Sequence, residues 1–315
     1  VFTINNRDFP DPKRMNDYLH GNGFRSVYMI DPGVKVDENY FVYKTGKEQD
    51  VFVRDAYRNE FHGKVWPGDC AFPDFTRPET RTWWAGLYKD FLANGIDGIW
   101  NDMNEHSVFD GPGGTMPVSN IHLGGGNLPT GTHLMYHNAY GRLMVEASYN
   151  GILAANPDKR PFVLSRSNIL GGQRYAAMWT GDNEATYEQM KLSVPMSITL
   201  GLSGQPFNGP DIGGFAGNTT ADLWGHWLGF GAFFPFSRGH ASCDTNNKEP
   251  WAFTKDIERE SRIALERRYR LMPYIYTAFH TAHTDGQPVM SPVFFADLKD
   301  QALRAEEQAF MLGTD

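Results

Sequence analysis

Three aspartates stand where short apolar runs stop: Asp102 after Gly98-Ile-Trp-Asn101, Asp182 after Ala176-Ala-Met-Trp-Thr-Gly181, and Asp211 after Gln205-Pro-Phe-Asn-Gly-Pro210. Two carboxyls across one pocket are the minimum for splitting a glycosidic bond. One attacks or stabilises the anomeric carbon and the other protonates the leaving oxygen. Their surroundings must push the two ionisations apart, through burial or neighbouring charge. Two further runs end in Arg166 and Arg238, with His240 just beyond. A guanidinium holds a carboxylate ionised or clamps sugar hydroxyls, and an imidazole donates to a hydroxyl. Trp66, Trp100, Trp179, Phe215 and Phe236 offer flat apolar walls for the C–H faces of a sugar. A lone aspartate at a strand end more often caps a helix or turns the chain. Six polar strand ends, with arginines and aromatics beside them, favour a carboxylate-based active site. A metal site drawn from the same Asp and His set is the competing reading, and no His-Glu-x-x-His or comparable ligand pair supports it.

The elements that must position these groups follow from the same pattern. The apolar runs, including Arg25-Ser-Val-Tyr-Met-Ile30 before Asp31, suit strands buried on both faces of a parallel sheet. Between them lie helical stretches. Asp11 caps a helix with Pro12 in its first turn, closing at Gly21 or Gly23. Pro78 to Asn94 is a second helix, stopped by Gly95, and His133 to Tyr149 a third. Glu184 to Leu200 is expected to kink or end early at Pro195. Thr219 and Thr220 cap a helix through Trp227. Thr254 to His283 is a charged helical region that Pro273 is expected to interrupt, and residues 300–312 form a last helical or strand-like piece. Strand alternating with helix implies a parallel α/β fold with its site at the C-terminal strand ends. Six strands are readable, and the gap from Arg166 to Asp182 is too short for a full crossover helix. The pattern favours a barrel over an open sheet and leaves both open. No Gly-x-Gly-x-x-Gly follows a strand, and Gly124-Gly-Gly126 lacks the phosphate-loop Lys-Ser/Thr pair.

Composition narrows the partners. Of 315 residues 41% are hydrophobic, enough for one large core or two smaller ones. The net charge of −8 and the absence of a Lys/Arg block argue against a nucleic-acid partner. The charged run Asp256–Arg270 mixes both signs, as a solvated helix face does. Cys70 and Cys243, far apart, form neither a disulfide framework nor a cysteine metal site, and fit a reducing compartment such as the cytoplasm. No run of about 18 apolar residues reads as membrane-spanning. The opening Val1-Phe-Thr-Ile4 lacks signal-peptide character, and the sequence reads as cut from a longer chain.

The segment Gly98-Ile-Trp-Asn-Asp-Met-Asn-Glu105 resembles the nucleophile signature of α-glucosidases in glycoside hydrolase family 31. Four further segments resemble that family's motifs in the same order. They are Ser165-Arg-Ser167, Met178-Trp-Thr-Gly-Asp-Asn183, Gly209-Pro-Asp-Ile-Gly-Gly-Phe215 and Phe234-Pro-Phe-Ser-Arg-Gly-His240. The resemblance implies Asp102 as nucleophile and Asp182 as acid/base of a retaining mechanism. It implies that Arg166, Asp211 and His240 bind hydroxyls of the innermost sugar. Trp66, Trp100, Trp179 and Phe215 would line that subsite, and Arg238 would support Asp211. Asp31, in Asp31-Pro-Gly33, would be a supporting residue. Met103-Asn104 resembles the glucosidase pattern and points to glucose.

By the same resemblance the fold is a (β/α)8 TIM-type barrel flanked by β domains. Residues 1–315 would be its catalytic core without the first two strands, an incomplete barrel of strands 3 to 8, with an insert loop at 103–132. Alone, such a chain is expected to be unstable or to expose sheet edges. The Gly-rich stretch Gly111–Thr132 would either border the outer subsites or be a loose surface loop. The substrate would be an α-glucoside or maltooligosaccharide, and no cofactor or metal is implied. A transglycosylase, an α-xylosidase or α-galactosidase, and a silent carbohydrate-binding module are the alternatives. One position departs from the family: His106 stands where proline is usual. It is expected to loosen the loop and add a titratable group near the site, tuning pH dependence or outer binding.

Overall fold

The computed structural model describes residues 1–314 and divides into two compact units, Val1–Ala176 and a second beginning at Ala177. In the first unit the order is α1 (Pro12–Gly21), β1 (Val27–Ile30), β2 (Val34–Lys35), α2 (Phe41–Glu48), β3 (His62–Val65), β4 (Gly68–Ala71), α3 (Pro78–Gly86), α4 (Tyr88–Leu92), β5 (Gly98–Asn101), β6 (Ile121–His122), β7 (Gly131–Thr132), α5 (His133–Ala155) and β8 (Val163–Ser165). Strands β1, β5 and β8 run parallel, with Ile30 opposite Asn101 and Asn101 opposite Ser165. Their C-terminal ends therefore deliver Asp31, Asp102 and Arg166 side by side. Asn101 ties the layer together by donating from Nδ2 to the Ile30 carbonyl at 3.2 Å.

Behind these strands α3, α4 and α5 bury an aromatic cluster. Phe2 meets Trp84 and Tyr88 edge-on at 5.0 and 4.9 Å. The polar tips of both rings are satisfied by one buried hydroxyl, Ser148 on α5. This is the usual requirement for sinking a Trp or Tyr fully. Pattern reading missed α2 and the antiparallel sheet of β2, β4 and β3, because two- and four-residue strands carry too little periodicity. The helix expected over 78–94 is two segments meeting at Leu87, closed by Gly95 at φ +84°. The Gly-rich stretch is packed, not loose. Met116 and His122 have no exposed surface, and Ile121 exchanges backbone hydrogen bonds with Arg54 at 2.8 and 3.1 Å.

The second unit contains β9 (Ala177–Trp179), α6 (Tyr187–Leu202), β10 (Asn208–Gly209), β11 (Asp211–Ile212), α7 (Ala221–Gly231), β12 (Arg238–Gly239), α8 (Lys255–Asp285), β13 (Met290–Pro292) and β14 (Phe310–Leu312). Pairs β9–β10 and β11–β12 are parallel, and β13–β14 antiparallel. Its helices start as composition demands: Thr186, Thr220 and Thr254 each accept a backbone N–H from three residues on. Asp11 does the same for α1.

Pro273 does not interrupt α8, and Pro195 does not end α6 early, since that helix runs on to Leu202. A proline removes one donor and leaves the carbonyl four residues earlier without its partner. Those carbonyls belong to Tyr269 and Lys191, both exposed residues.

Candidate active site

Asp102 leaves β5 into a turn that the sequence makes expensive. Met103 sits at φ +57°, a left-handed conformation that costs a non-glycine residue about 1–3 kcal/mol and concentrates at functional sites. The surroundings hold it there. Asn104 donates from Nδ2 to Ser165 Oγ at 2.9 Å and accepts from the Ser167 backbone N–H at 3.1 Å, clamping this turn to the end of β8. Gly141 on α5 permits the approach, because a Cβ there would lie 2.8 Å from the Asn104 carbonyl and 2.7 Å from Ser167 Oγ.

The clamp brings Arg166 to the nucleophile end. Its Nε lies 3.3 Å from Asp102 Oδ1. The same guanidinium grips Glu105 with two parallel bonds, Nε to Oε1 and Nη2 to Oε2, the latter at 3.0 Å. Nη2 also reaches Met103 Sδ at 3.0 Å and Ser107 Oγ at 3.3 Å. Burial raises the Glu105 carboxyl, but the bonds and charge of Arg166 more than offset this and hold it below the ordinary range. Asp31, at the neighbouring strand end, has no such clamp. Burial and then the charge of Asp102 push it up to about 6. The strand ends thus hold carboxylates paired to a cation, Arg166, and beside them Asp31, whose ionisation is pushed up. Trp100 is half-buried on β5, whereas Trp66 is 70% exposed beyond the end of β3, edge-on to Phe109 at 4.8 Å.

His106 corrects an expectation. It is fully buried, packed edge-on against Phe72 at 4.2 Å and Tyr140 at 4.6 Å, and neither ring nitrogen has a hydrogen-bond partner. Burial, then the nearby histidines, hold its ionisation well below the ordinary imidazole range. It is thus a core side chain packed under the loop, not an exposed group facing the site. It abuts a chain of imidazoles: Asp74 Oδ1 meets His122 Nδ1 at 2.9 Å, His122 Nε2 meets His133 Nδ1 at 3.0 Å, and His133 Nε2 meets His137 Nδ1 at 3.0 Å.

The remaining site residues lie in the second unit. Asp211 is wholly buried in β11, and Arg238 on the paired strand β12 donates to its Oδ1 from Nε at 2.8 Å, with Nη2 in ion-pair contact with the same oxygen at 2.7 Å. Arg238 also lies over the rings of Trp179, at 4.6 Å, and Phe236, at 5.7 Å. Burial outweighs Arg238 and pushes Asp211 up to about 7. Phe215 stacks on His240 with centroids 5.4 Å apart. Burial lowers His240, with Arg238 adding to it. Asp182 is exposed and borders a small polar cleft of about 110 Å³ with Thr180, Asn183, Gln189, Ser193 and Met196. Its neighbour Asn183 donates to the Asp211 carbonyl at 3.0 Å and accepts from the Phe215 backbone N–H, linking three of the expected positions.

Sequence reasoning overlooked Glu105 and Lys248. The first was visible as a carboxylate three residues past Asp102, within reach once the chain turns; the second carries no spacing signal. Among the described residues no cluster of His, Cys, Asp and Glu fits a metal ion, and no helix is long and apolar enough to cross a membrane.

The sequence model described as "Glycosyl hydrolases family 31 TIM-barrel domain" matches residues 1–278. "Alpha-glucosidase 2" of Bacillus thermoamyloliquefaciens is 43% identical over 315 residues, which is 100% of this chain and 40% of that protein. The "Probable glucan 1,3-alpha-glucosidase" of Arabidopsis thaliana is 41% identical over 317 residues, 99% of this chain and 34% of that protein. The crystal structure of a family 31 α-glucosidase from Bacteroides thetaiotaomicron superposes with a TM-score of 0.90 at 59% identity, covering 100% of this chain and 51% of the other. The chain thus spans between a third and about half of the proteins it matches. By its matched length and its identity to these proteins, the chain belongs to glycosyl hydrolases family 31.

Proposed function

We propose that this chain carries the catalytic residues of a retaining, exo-acting α-glucosidase that releases α-glucose from the non-reducing ends of α-glucosides or maltooligosaccharides. Asp102 attacks the anomeric carbon as Asp182 gives its proton to the leaving oxygen, and the C1–O bond breaks. Asp182 then takes a proton from water, which attacks C1 and frees Asp102, so two inversions leave the α-anomer. Arg166, Asp211, Arg238 and His240 hold hydroxyls or the carboxylates that do so, and Trp66, Trp100, Met103, Trp179 and Phe215 form apolar walls. The observation that carries the reading is the Arg166–Asp102 ion pair beside the strained Met103 turn. The names of the similar proteins support glucose as the sugar.

On this reading the strand ends expected from the sequence are those of strands 3 to 8 of a (β/α)8 barrel, residues 1–315 are its core, and the insert at 103–132 borders the outer subsites. The two free cysteines fit work in a reducing compartment. The test uses the full-length protein and an aryl α-glucoside, with the anomeric protons of released glucose followed by NMR. α-Glucose appearing first, and its loss in Asp102→Ala, is the expected result. β-Glucose first overturns the assigned roles, and cleavage of other α-glycosides alone overturns the choice of glucose.

A further inference from the structure

The loop that follows β12 turns one ammonium inward. Lys248 is 7% exposed, and its Nζ donates to the carbonyl of Gly214. A buried ammonium on a single neutral carbonyl is costly, and lysine is among the residues least often buried without a paired charge. Its placement therefore needs a reason, and the reaction steps above do not use it.

The carbonyl it holds belongs to an unusual turn. Gly213 and Gly214 both adopt left-handed backbone, φ +87° and +84°, and a Cβ on Gly214 would lie 2.4 Å from the Ala185 backbone nitrogen. This turn joins Asp211 to Phe215. Three of its carbonyls accept from groups outside the turn: Asp211 from Asn183 Nδ2 at 3.0 Å, Gly214 from Lys248, and Phe215 from the Ser242 backbone N–H at 3.0 Å. The Phe215 ring, stacked on His240, is the last link. The charged and titratable groups facing Asp211 are Arg238 on β12, Asp182 beyond β9 and Lys248. Lys248 is thus the second cation near this buried carboxylate. Burial lowers the Lys248 ammonium and Asp211 partly restores it.

We propose that Lys248 is a positioning residue for sugar binding: by tying down the Gly214 carbonyl it sets the tilt of the Phe215–His240 pair, and its charge backs the Asp211 carboxylate. The inference rests on the reading of Asp211, Phe215 and His240 as contacts of the innermost sugar. Lys248 also borders a cavity of about 540 Å³ with His240, Ser242, Asn246 and Trp224, so a guanidinium has room to replace the ammonium there.

The test compares Lys248→Met and Lys248→Arg with wild type in the full-length protein, measuring kcat and KM for an aryl α-glucoside between pH 5 and 9. In the wild type, KM falls as pH rises through about 7, where Asp211 ionises. In Lys248→Met, KM at pH 7 rises roughly tenfold, kcat changes less than about threefold, and the inflection in KM moves up by about one pH unit. Lys248→Arg returns both KM and the inflection to within about twofold of wild type. Two outcomes overturn the proposal: an unmoved KM inflection in Lys248→Met, or equal losses of kcat and KM in both variants with the pH profile intact. If Lys248→Met does not fold, Lys248→Gln carries the same expectations. Turnover by the wild type tests the glucosidase reading separately. A wild type that cleaves no α-glucoside sinks that reading, whereas normal wild-type turnover with indifferent Lys248 variants sinks only this one.

Discussion

Asp211 gives the sharpest quantitative handle on this protein. A carboxylate paired with a guanidinium that donates to one of its oxygens would, by pairing alone, titrate low; burial instead raises Asp211 to about 7 from an ordinary 3.8. Because the folded value exceeds the unfolded one, the associated stability is fully present below about pH 4. It is lost as pH rises through about 7. At about 1.4 kcal/mol per pH unit, three units amount to a loss on the order of 4 kcal/mol by pH 8. Asp211→Asn keeps the shape and abolishes the titration. In the range where the folded carboxyl is protonated, the change swaps one neutral group for another beside Arg238, so its cost to the folded state does not vary with pH. The decisive quantity is therefore the pH slope, not the absolute stability. Urea denaturation of wild type and Asp211→Asn at pH 5, 6 and 7 should show the wild type losing about 2–3 kcal/mol more than the variant across that interval. Parallel slopes would refute the reasoning, since they would mean that Arg238 keeps Asp211 ionised throughout.

Three more outcomes follow from the first unit. Burial, then the charges of its histidine neighbours, lowers His133 to about 3. Its folded value lies below the unfolded one, so stability falls as pH drops from about 6.5, by about 1.4 kcal/mol per unit. His133→Gln should shift the acid-denaturation midpoint to lower pH. His106→Phe, which removes two buried ring nitrogens without partners, should stabilise by about 1–2 kcal/mol in thermal melts. It should leave the pH–rate profile unchanged; a moved profile would show that His106 titrates after all. Glu105→Ala releases Arg166 from its two-pronged grip and should lower kcat roughly 100-fold, with Glu105→Gln less severe. Steady-state kinetics showing an unaffected kcat would mean that Arg166 holds its place without Glu105.

Much of the site was legible in the sequence because parallel α/β folds put polar residues at C-terminal strand ends, and a period of short apolar runs reports those ends directly. Asp31, Asp102 and Arg166 do follow β1, β5 and β8 directly, whereas Asp211 and Arg238 are the first residues of the short strands β11 and β12, and the apolar run before Arg238 is not itself a strand. The threonine and aspartate caps were equally local, since a cap is a bond between a side chain and a backbone three residues on. The prolines misled because their cost depends on what surrounds the orphaned carbonyl, and Tyr269 and Lys191 are exposed residues rather than core ones. His106 misled for the opposite reason: its sequence neighbours are polar, while its spatial neighbours are Phe72 and Tyr140. Residue type and spacing determined which groups stand at the strand ends and where helices begin. Only tertiary packing decided which of them ionise, because that depends on burial and on cations such as Arg166, Arg238 and Lys248, which arrive from distant parts of the chain.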